Sequence, residues 1–297
     1  MSRKLLALSI VLLFSFSMAV AADTSATHNN LSAAEIARRN VAARGGLEAW
    51  RAVQSLTWEG KMGVGGNRPA TPASEPVPNK KTVELPTDPR PEQEVLLPFV
   101  MEMQRPRKTR FELQFKGQTA VQVFDGANGW KLRPYLNRLE VEPFTADEMK
   151  RASMVGELDG PLVDYAAKGT AIETDGMEKV ENRDTYRLKL TMKSGQIIHV
   201  WIDAQTFLDT KMDGRPRTLD GLEHPVEIYY RDYRPVNGLQ IPFVLETRVL
   251  PLAKTATRAR ETLPQPEKIL IDKVVVNPRL DAALFSKPQV QSASLTR

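Results

Sequence analysis

The chain has 297 residues, 41 Lys and Arg against 36 Asp and Glu, a formal charge of +5, three histidines and no cysteine. The missing cysteine excludes disulfides, thiolate catalysis, cysteine-ligated metal and a cysteine-borne lipid anchor. Basic and acidic residues are interspersed without a Lys–Arg block, so the charge is no signature of nucleic-acid binding.

Residues 1–22 have the anatomy of a secretory signal: Arg3 and Lys4, an apolar run from Leu5 to Val20, and Ala19-Val20-Ala21 ahead of a cut before Ala22 or, one residue later, before Asp23. Serines interrupt the run, and it is shorter than the roughly 20 residues that span a bilayer. Cleavage is therefore expected rather than anchoring. It removes two basic residues, leaving 39 against 36 and a charge of +3. The expected product is an exported chain of about 275 residues that spans no membrane and is long enough to bury its own core.

The polar stretch up to residue 31 is expected to be disordered. Leu31–Gly46 then reads as a helix, with Ser32 as cap, Glu35 at the capping-box position and Gly45-Gly46 as the stop. Leu47 to Val53 adds another turn or two. From Ser55 the period becomes two: Leu56, Trp58, Gly60 and Met62 alternate with Thr57, Glu59 and Lys61, a half-buried strand. Residues 64–98 break the pattern, hold eight of the 21 prolines, and read as a long insertion.

Strands resume with Phe99, Met101 and Met103, then Phe111, Leu113 and Phe115, then Val121 and Val123. Asp125-Gly126, Asn128-Gly129, Asp213-Gly214 and Asn237-Gly238 read as hairpin turns, where glycine supplies positive φ. Thr145 caps a short helix with Glu148 at its box position, and Met154–Gly169 reads as helical pieces broken by glycines and Pro161. Tyr186–Leu190, Ile198–Ile202, Val226–Tyr230, Phe243–Val249 and Ile269–Val275 complete the strand series. About ten antiparallel strands joined by turns make one domain, residues 23–297, built on a large curved sheet or incomplete barrel. The class is mainly β with helices.

Hydrolytic motifs are missing. No G-x-S-x-G elbow and no H-E-x-x-H pair occurs. His28 lies in the leader, and His199 and His224 read as packing or surface residues. The scattered carboxylates form no metal box, and the glycines at 63, 65 and 66 lack the third glycine of a dinucleotide loop. No enzyme, cofactor or metal is expected. Arg105 and Arg110, at strand ends, are expected to meet solvent. Trp201, Tyr229, Tyr230 and Tyr233 are expected to fill the outer surface of a bent sheet, with a sugar-binding face as the alternative.

Several segments, taken in order, resemble the LolA-type, outer-membrane lipoprotein-sorting group of exported bacterial carriers. They are Ala43–Met62, Gln104–Leu113, Val123–Pro134, Leu158–Tyr165, Val200–Met212, Arg231–Phe243 and Lys273–Pro288. The resemblance implies an unclosed β-barrel, a strongly bent antiparallel sheet covered by helical lid segments. It also implies a hollow that holds the acyl chains of a lipid or lipoprotein, with membrane-bound donor and acceptor proteins as further partners. On that reading Phe99, Met101, Met103, Phe111, Leu113 and Phe115 line the sheet side, and Met154, Leu158 and Leu162 face them from the lid. A closed core made of the same residues stands as the alternative. A second functional reading is an envelope sensor that recognises a lipoprotein or glycolipid and signals to a protein partner through residues 64–98.

Overall fold

The structure, a computed structural model, describes residues 31–65, 94–136, 138–155, 157–219, 221–252 and 263–289. The signal segment, most of the proline-rich insertion and the Met154 side chain lie outside the described residues.

Helix α1 (Ala33–Ala43) starts where the sequence places it, with Ser32 Oγ accepting the Glu35 N–H at 3.2 Å. The capping box is only half made. The Glu35 carboxylate turns instead to the guanidinium groups of Arg38 and Arg39 on the next turn of the helix. Arg44 ends the helix, and Gly45 follows at φ +117, where a Cβ would stand 2.5 Å from the Gly238 carbonyl. Only glycine lets the helix end sit this close to that turn. Helix α2 (Leu47–Ala52) then buries Trp50, whose indole donates to the Arg44 carbonyl at 3.1 Å.

The strands are β1 (Ser55–Val64), β2 (Val95–Gln104), β3 (Lys108–Phe115), β4 (Gln118–Phe124), β5 (Gly129–Arg133), β6 (Arg138–Pro143), β7 (Ala171–Val180), β8 (Arg183–Thr191), β9 (Ile197–Asp203), β10 (Asp209–Asp213), β11 (Arg217–Leu219), β12 (Leu222–His224), β13 (Val226–Val236), β14 (Leu239–Val249) and β15 (Glu267–Val276). Among the described residues, thirteen form one sheet in the order β6-β5-β4-β3-β2-β1-β15-β14-β13-β10-β9-β8-β7, and β11–β12 is a separate hairpin. Every neighbouring pair is antiparallel. The terminal strands β6 and β7 do not pair with each other, so this is the expected large curved sheet that stops short of a barrel. Helix α3 (Ala146–Val155) carries a complete capping box: Glu148 N–H donates to Thr145 Oγ1 and Thr145 N–H to Glu148 Oε2.

Several readings from sequence need correction. Val64 belongs to β1 and Val95–Pro98 to β2, paired as Val64 with Val95 through Lys61 with Pro98, so the insertion is the connection of a long hairpin. Strands β6, β7, β10, β11 and β12 were not expected. β7 is an exposed edge whose acidic residues give no apolar alternation, and β10 to β12 are too short to show a period. The Asp125-Gly126 and Asn237-Gly238 turns hold, with Gly126 at φ +102, Asn237 at +49 and Gly238 at +82. Gly129 and Gly214 have other duties. Gly129 lies directly under the Phe144 ring, and Gly214 faces Val226, so each supplies space rather than positive φ. Residues 157–170 form turns rather than helical pieces.

Strand alternation gives the sheet two faces. The inner face carries Leu56, Phe99, Met103, Leu239, Ile241, Phe243 and Ile271, and packs with Val41, Trp50, Val53, Leu158 and Val163 from the covering segments into the main core. The outer face of β4 and β5 carries Val121, Val123, Trp130 and Leu132, covered by Phe285 of the 3-10 turn Ala282–Phe285.

Candidate functional site

Burial of the inner face falls off with distance from α1 and α2. Along β14, Leu239 and Ile241 are 1 % exposed, Phe243 is 6 % exposed, and Leu245 is half-buried. Along β1, Leu56 is fully buried while Trp58 and Met62 are half-buried. On the ladder, Met62 stands opposite Leu97 and Ile269, and Ile269 opposite Leu245. Trp58 stands opposite Met101, which stands opposite Phe111. The row from Trp58 through Met101 and Phe111 ends at Gln122 on β4, which is exposed. The result is an apolar strip across β14, β15, β1, β2 and β3 that rests on a closed core at one end and is partly uncovered at the other.

The nine residues expected to line a cavity are distributed across this arrangement. Phe99 and Met103 lie in the closed core, where Phe99 stacks on Phe111 with centroids 5.8 Å apart. Met101, Phe111 and Leu113 are half-buried against that core and lie on the strip. Phe115 sits at the far end of β3 in edge contact with Tyr135. Leu158 joins the core from the covering segment, whereas Leu162 lines a separate groove. Met154 is in α3, with its side chain outside the description. The strip residues Trp58, Met62, Leu245 and Ile269 were not singled out from sequence. The period-two run Leu56, Trp58, Gly60, Met62 was the signal that could have found Trp58 and Met62.

The separate groove has a volume of about 590 Å³ and runs between α1 and residues 162–167. Its lining is mostly apolar: Ala34, Ala37, Val41, Leu47, Leu162 and Ala166. That volume lies within the roughly 300–1,000 Å³ of small-molecule sites.

Ionic ties hold the covering segment down. Asp159, whose side chain is 5 % exposed, receives Arg105 Nη2 on one oxygen and Lys168 Nζ on the other, both at 2.8 Å. Arg105 also donates Nε to the Val53 carbonyl at 2.7 Å, so it does not simply meet solvent as the sequence suggested. Burial alone would raise the Asp159 pKa. The hydrogen bonds from Lys168 and Arg105 outweigh it and hold the carboxyl below its ordinary value. Asp164 pairs with Arg51 of α2 through two hydrogen bonds of 2.7 and 2.9 Å. Arg110 is likewise engaged, donating to Glu112 and to the Leu284 carbonyl.

The aromatic quartet divides between the faces. Trp201 and Tyr229 are on the outer face, with the Lys211 ammonium 4.1 Å from the Trp201 centroid and the Arg248 guanidinium 4.1 Å from that of Tyr229. Glu227 accepts from both Lys211 and the Tyr229 hydroxyl, so these rings serve a structural charge network. Tyr230, by contrast, donates to Met212 Sδ on the inner side, and Tyr233 donates to the Asp209 carbonyl. Desolvation pushes both phenols above their ordinary pKa. His199 Nδ1 lies 2.7 Å from Asp213 Oδ2, and His224 Nδ1 lies 3.0 Å from the Leu250 carbonyl. Among the described residues no group of three or more His, Asp or Glu side chains is placed to hold a metal ion. No described helix is long and apolar enough to cross a membrane.

No family model matches the sequence. No curated protein matches it either. Solved structures do match the fold. A LolA superfamily protein from Nitrosomonas europaea superposes with a TM-score of 0.50 at 11 % identity, over 87 % of this chain and 99 % of that one. A putative outer membrane lipoprotein-sorting protein domain from Vibrio parahaemolyticus gives 0.49 at 11 % identity, over 86 % and 96 %. The fold is thus of the LolA type, as the ordered sequence segments suggested, and at these identities the likeness speaks for the fold alone.

Proposed function

We propose that this protein is a lipid-binding carrier of the exported compartment. It shelters the acyl chains of a lipid or lipoprotein against the inner face of its sheet and moves them between membranes. The observation that carries the reading is the apolar strip: Leu245, Ile269, Met62, Trp58, Met101 and Phe111 are adjacent on five strands yet only half-buried. An apolar face of this kind is costly beside water unless something covers it. An acyl chain meets the need from the other side, since each methylene left in water costs about 0.8 kcal/mol and a whole chain on the order of 10 kcal/mol. Transfer from bilayer to strip is then nearly balanced, which is the condition for reversible handover. Methionine on the strip (Met62, Met101) suits guests of varied shape.

The same lining supports binding rather than catalysis, because the strip offers carbon, sulfur and the indole N–H of Trp58, with no nucleophile beside a base. The signal-like first 22 residues support export, and the periplasm is the expected compartment. The test is native mass spectrometry with lipid extraction on protein purified from the exported fraction. Co-purifying phospholipid or an acylated peptide is the expected result. Protein that arrives free of lipid and also rejects a fluorescent fatty acyl probe would end this reading.

A further inference from the structure

Trp58 lies midway along β1 on the inner face, opposite Met101 on β2 and Val274 on β15. It packs against the main core, and its indole nitrogen is buried with no acceptor within hydrogen-bonding distance among the described residues. The indoles of Trp50 and Trp201, by contrast, are paired: Trp50 donates to the Arg44 carbonyl and Trp201 to Glu178. A buried donor left unpaired costs about 1–3 kcal/mol, and native structures rarely carry one without cause. Phenylalanine would fill nearly the same apolar space without that cost.

The surroundings narrow what could pair with it. Leu56, Gly60 and Met62 precede and follow it on the same face, and Met101, Phe111 and Val274 flank it across the ladder. None of these carries a charge. A free carboxylate brought here would be buried without a cation, whereas a neutral oxygen would not incur that cost.

We infer that the Trp58 N–H is a ligand-binding donor that receives the neutral carbonyl oxygen of an ester- or amide-linked acyl chain. The inference rests on the lipid-binding reading above and adds that the guest is an acyl derivative rather than a free fatty acid or a bare hydrocarbon. Trp58 then sorts guests by a single hydrogen bond in an otherwise apolar strip.

The experiment is displacement of a fluorescent acyl probe from the full mature chain by methyl palmitate, palmitate and heptadecane. The unmodified protein is expected to bind the methyl ester about 5–10-fold more tightly than the alkane, the worth of one net hydrogen bond. Trp58→Phe is expected to bring the two within about twofold of each other, whatever the change in absolute affinity. In the unmodified protein the Trp58 indole N–H resonance is expected to move on adding ester and to stay still with alkane, a readout independent of whether the variant folds. An ester preference that survives Trp58→Phe, no preference in the unmodified protein, or an unmoved resonance would overturn the inference and leave the carrier reading standing. Failure of all three lipids to displace the probe from a protein that binds it would also overturn it. A protein that binds neither probe nor lipid would remove the carrier reading itself, and this inference with it.

Discussion

Arg105 Nη2 lies 2.8 Å from Asp159 Oδ2, joining the turn between β2 and β3 to the covering segment across 54 residues of chain. Lys168 closes on the other carboxylate oxygen, also at 2.8 Å, and Arg44 Nη1 donates to the Asp159 backbone carbonyl at 3.0 Å. Three basic residues from three parts of the chain therefore meet at one buried residue. Leu158 and Val163, on either side of it, are the covering segment's contribution to the core.

Asp159→Asn should loosen that segment. The substitution keeps the shape and removes the charge, leaving Arg105 and Lys168 without their shared partner. We expect a loss of about 1–3 kcal/mol by urea unfolding, with amide exchange accelerated across residues 157–168 more than in β8 and β9.

Acid should act on the same tie. The Asp159 carboxyl is held below its ordinary 3.8 in the folded state, and Glu181 is lowered from 4.5 to about 2, chiefly by its hydrogen bond from Arg231. Both native pKa values are depressed, so the unfolded chain binds more protons in this range and stability falls with falling pH. The contribution is complete above about pH 4.5 and is lost as the pH drops through the folded-state values. Unfolding midpoints measured from pH 5 to pH 2 should fall steadily, and Asp159→Asn should flatten the part of the slope below pH 4.

Gly60 should resist substitution although its φ is not positive. It lies at the β1–β15 bulge, and an added Cβ would run into the Leu270 carbonyl and the backbone of Ile271. Gly60→Ala is expected to cost about 1–3 kcal/mol by forcing those strands apart. Gly176, at φ +90 in the exposed edge strand β7, has open space around its Cβ position and provides the contrast. There alanine meets backbone strain only, and thermal unfolding of the two variants should separate the effects.

Leu113 tests the strip directly. It is half-buried on β3 opposite Phe99 and Ala120, so a charged side chain there can still reach solvent in the free protein. Leu113→Glu should leave the unfolding free energy within about 1 kcal/mol of the parent. It should weaken binding of a fluorescent acyl probe about tenfold or more, because a bound chain would bury the carboxylate.

Phe285 ties the C-terminal segment to the outer face. It is 2 % exposed over Val121 and Val123, under the Lys108 ammonium. Phe285→Ala should cost about 3–5 kcal/mol in urea unfolding while leaving acyl-probe affinity of the folded protein unchanged, since it lies on the face opposite the strip.

The sequence by itself determined whatever depends on neighbours a few residues apart. Period-two alternation identified β1, β3, β8 and β9, the Ser32 and Thr145 caps placed two helix starts, and Asn237-Gly238 placed a turn. Each is a local rule, with the physical cause and the residues that reveal it within one or two turns of chain. Tertiary structure alone decided the rest. Gly129 and Gly214 were needed for the approach of Phe144 and Val226 rather than for a turn. Arg105 found Asp159 instead of water. Period two sends the adjacent Tyr229 and Tyr230 to opposite faces, but only the fold gave one the Arg248 guanidinium and the other Met212. The strip itself joins Met62, Leu97, Leu245 and Ile269, residues of four strands spread over some two hundred positions. Which apolar residues close into a core and which stay half-covered depends on where α1, α2 and the covering segment come to rest. That is a matter of long-range packing, which no local period encodes.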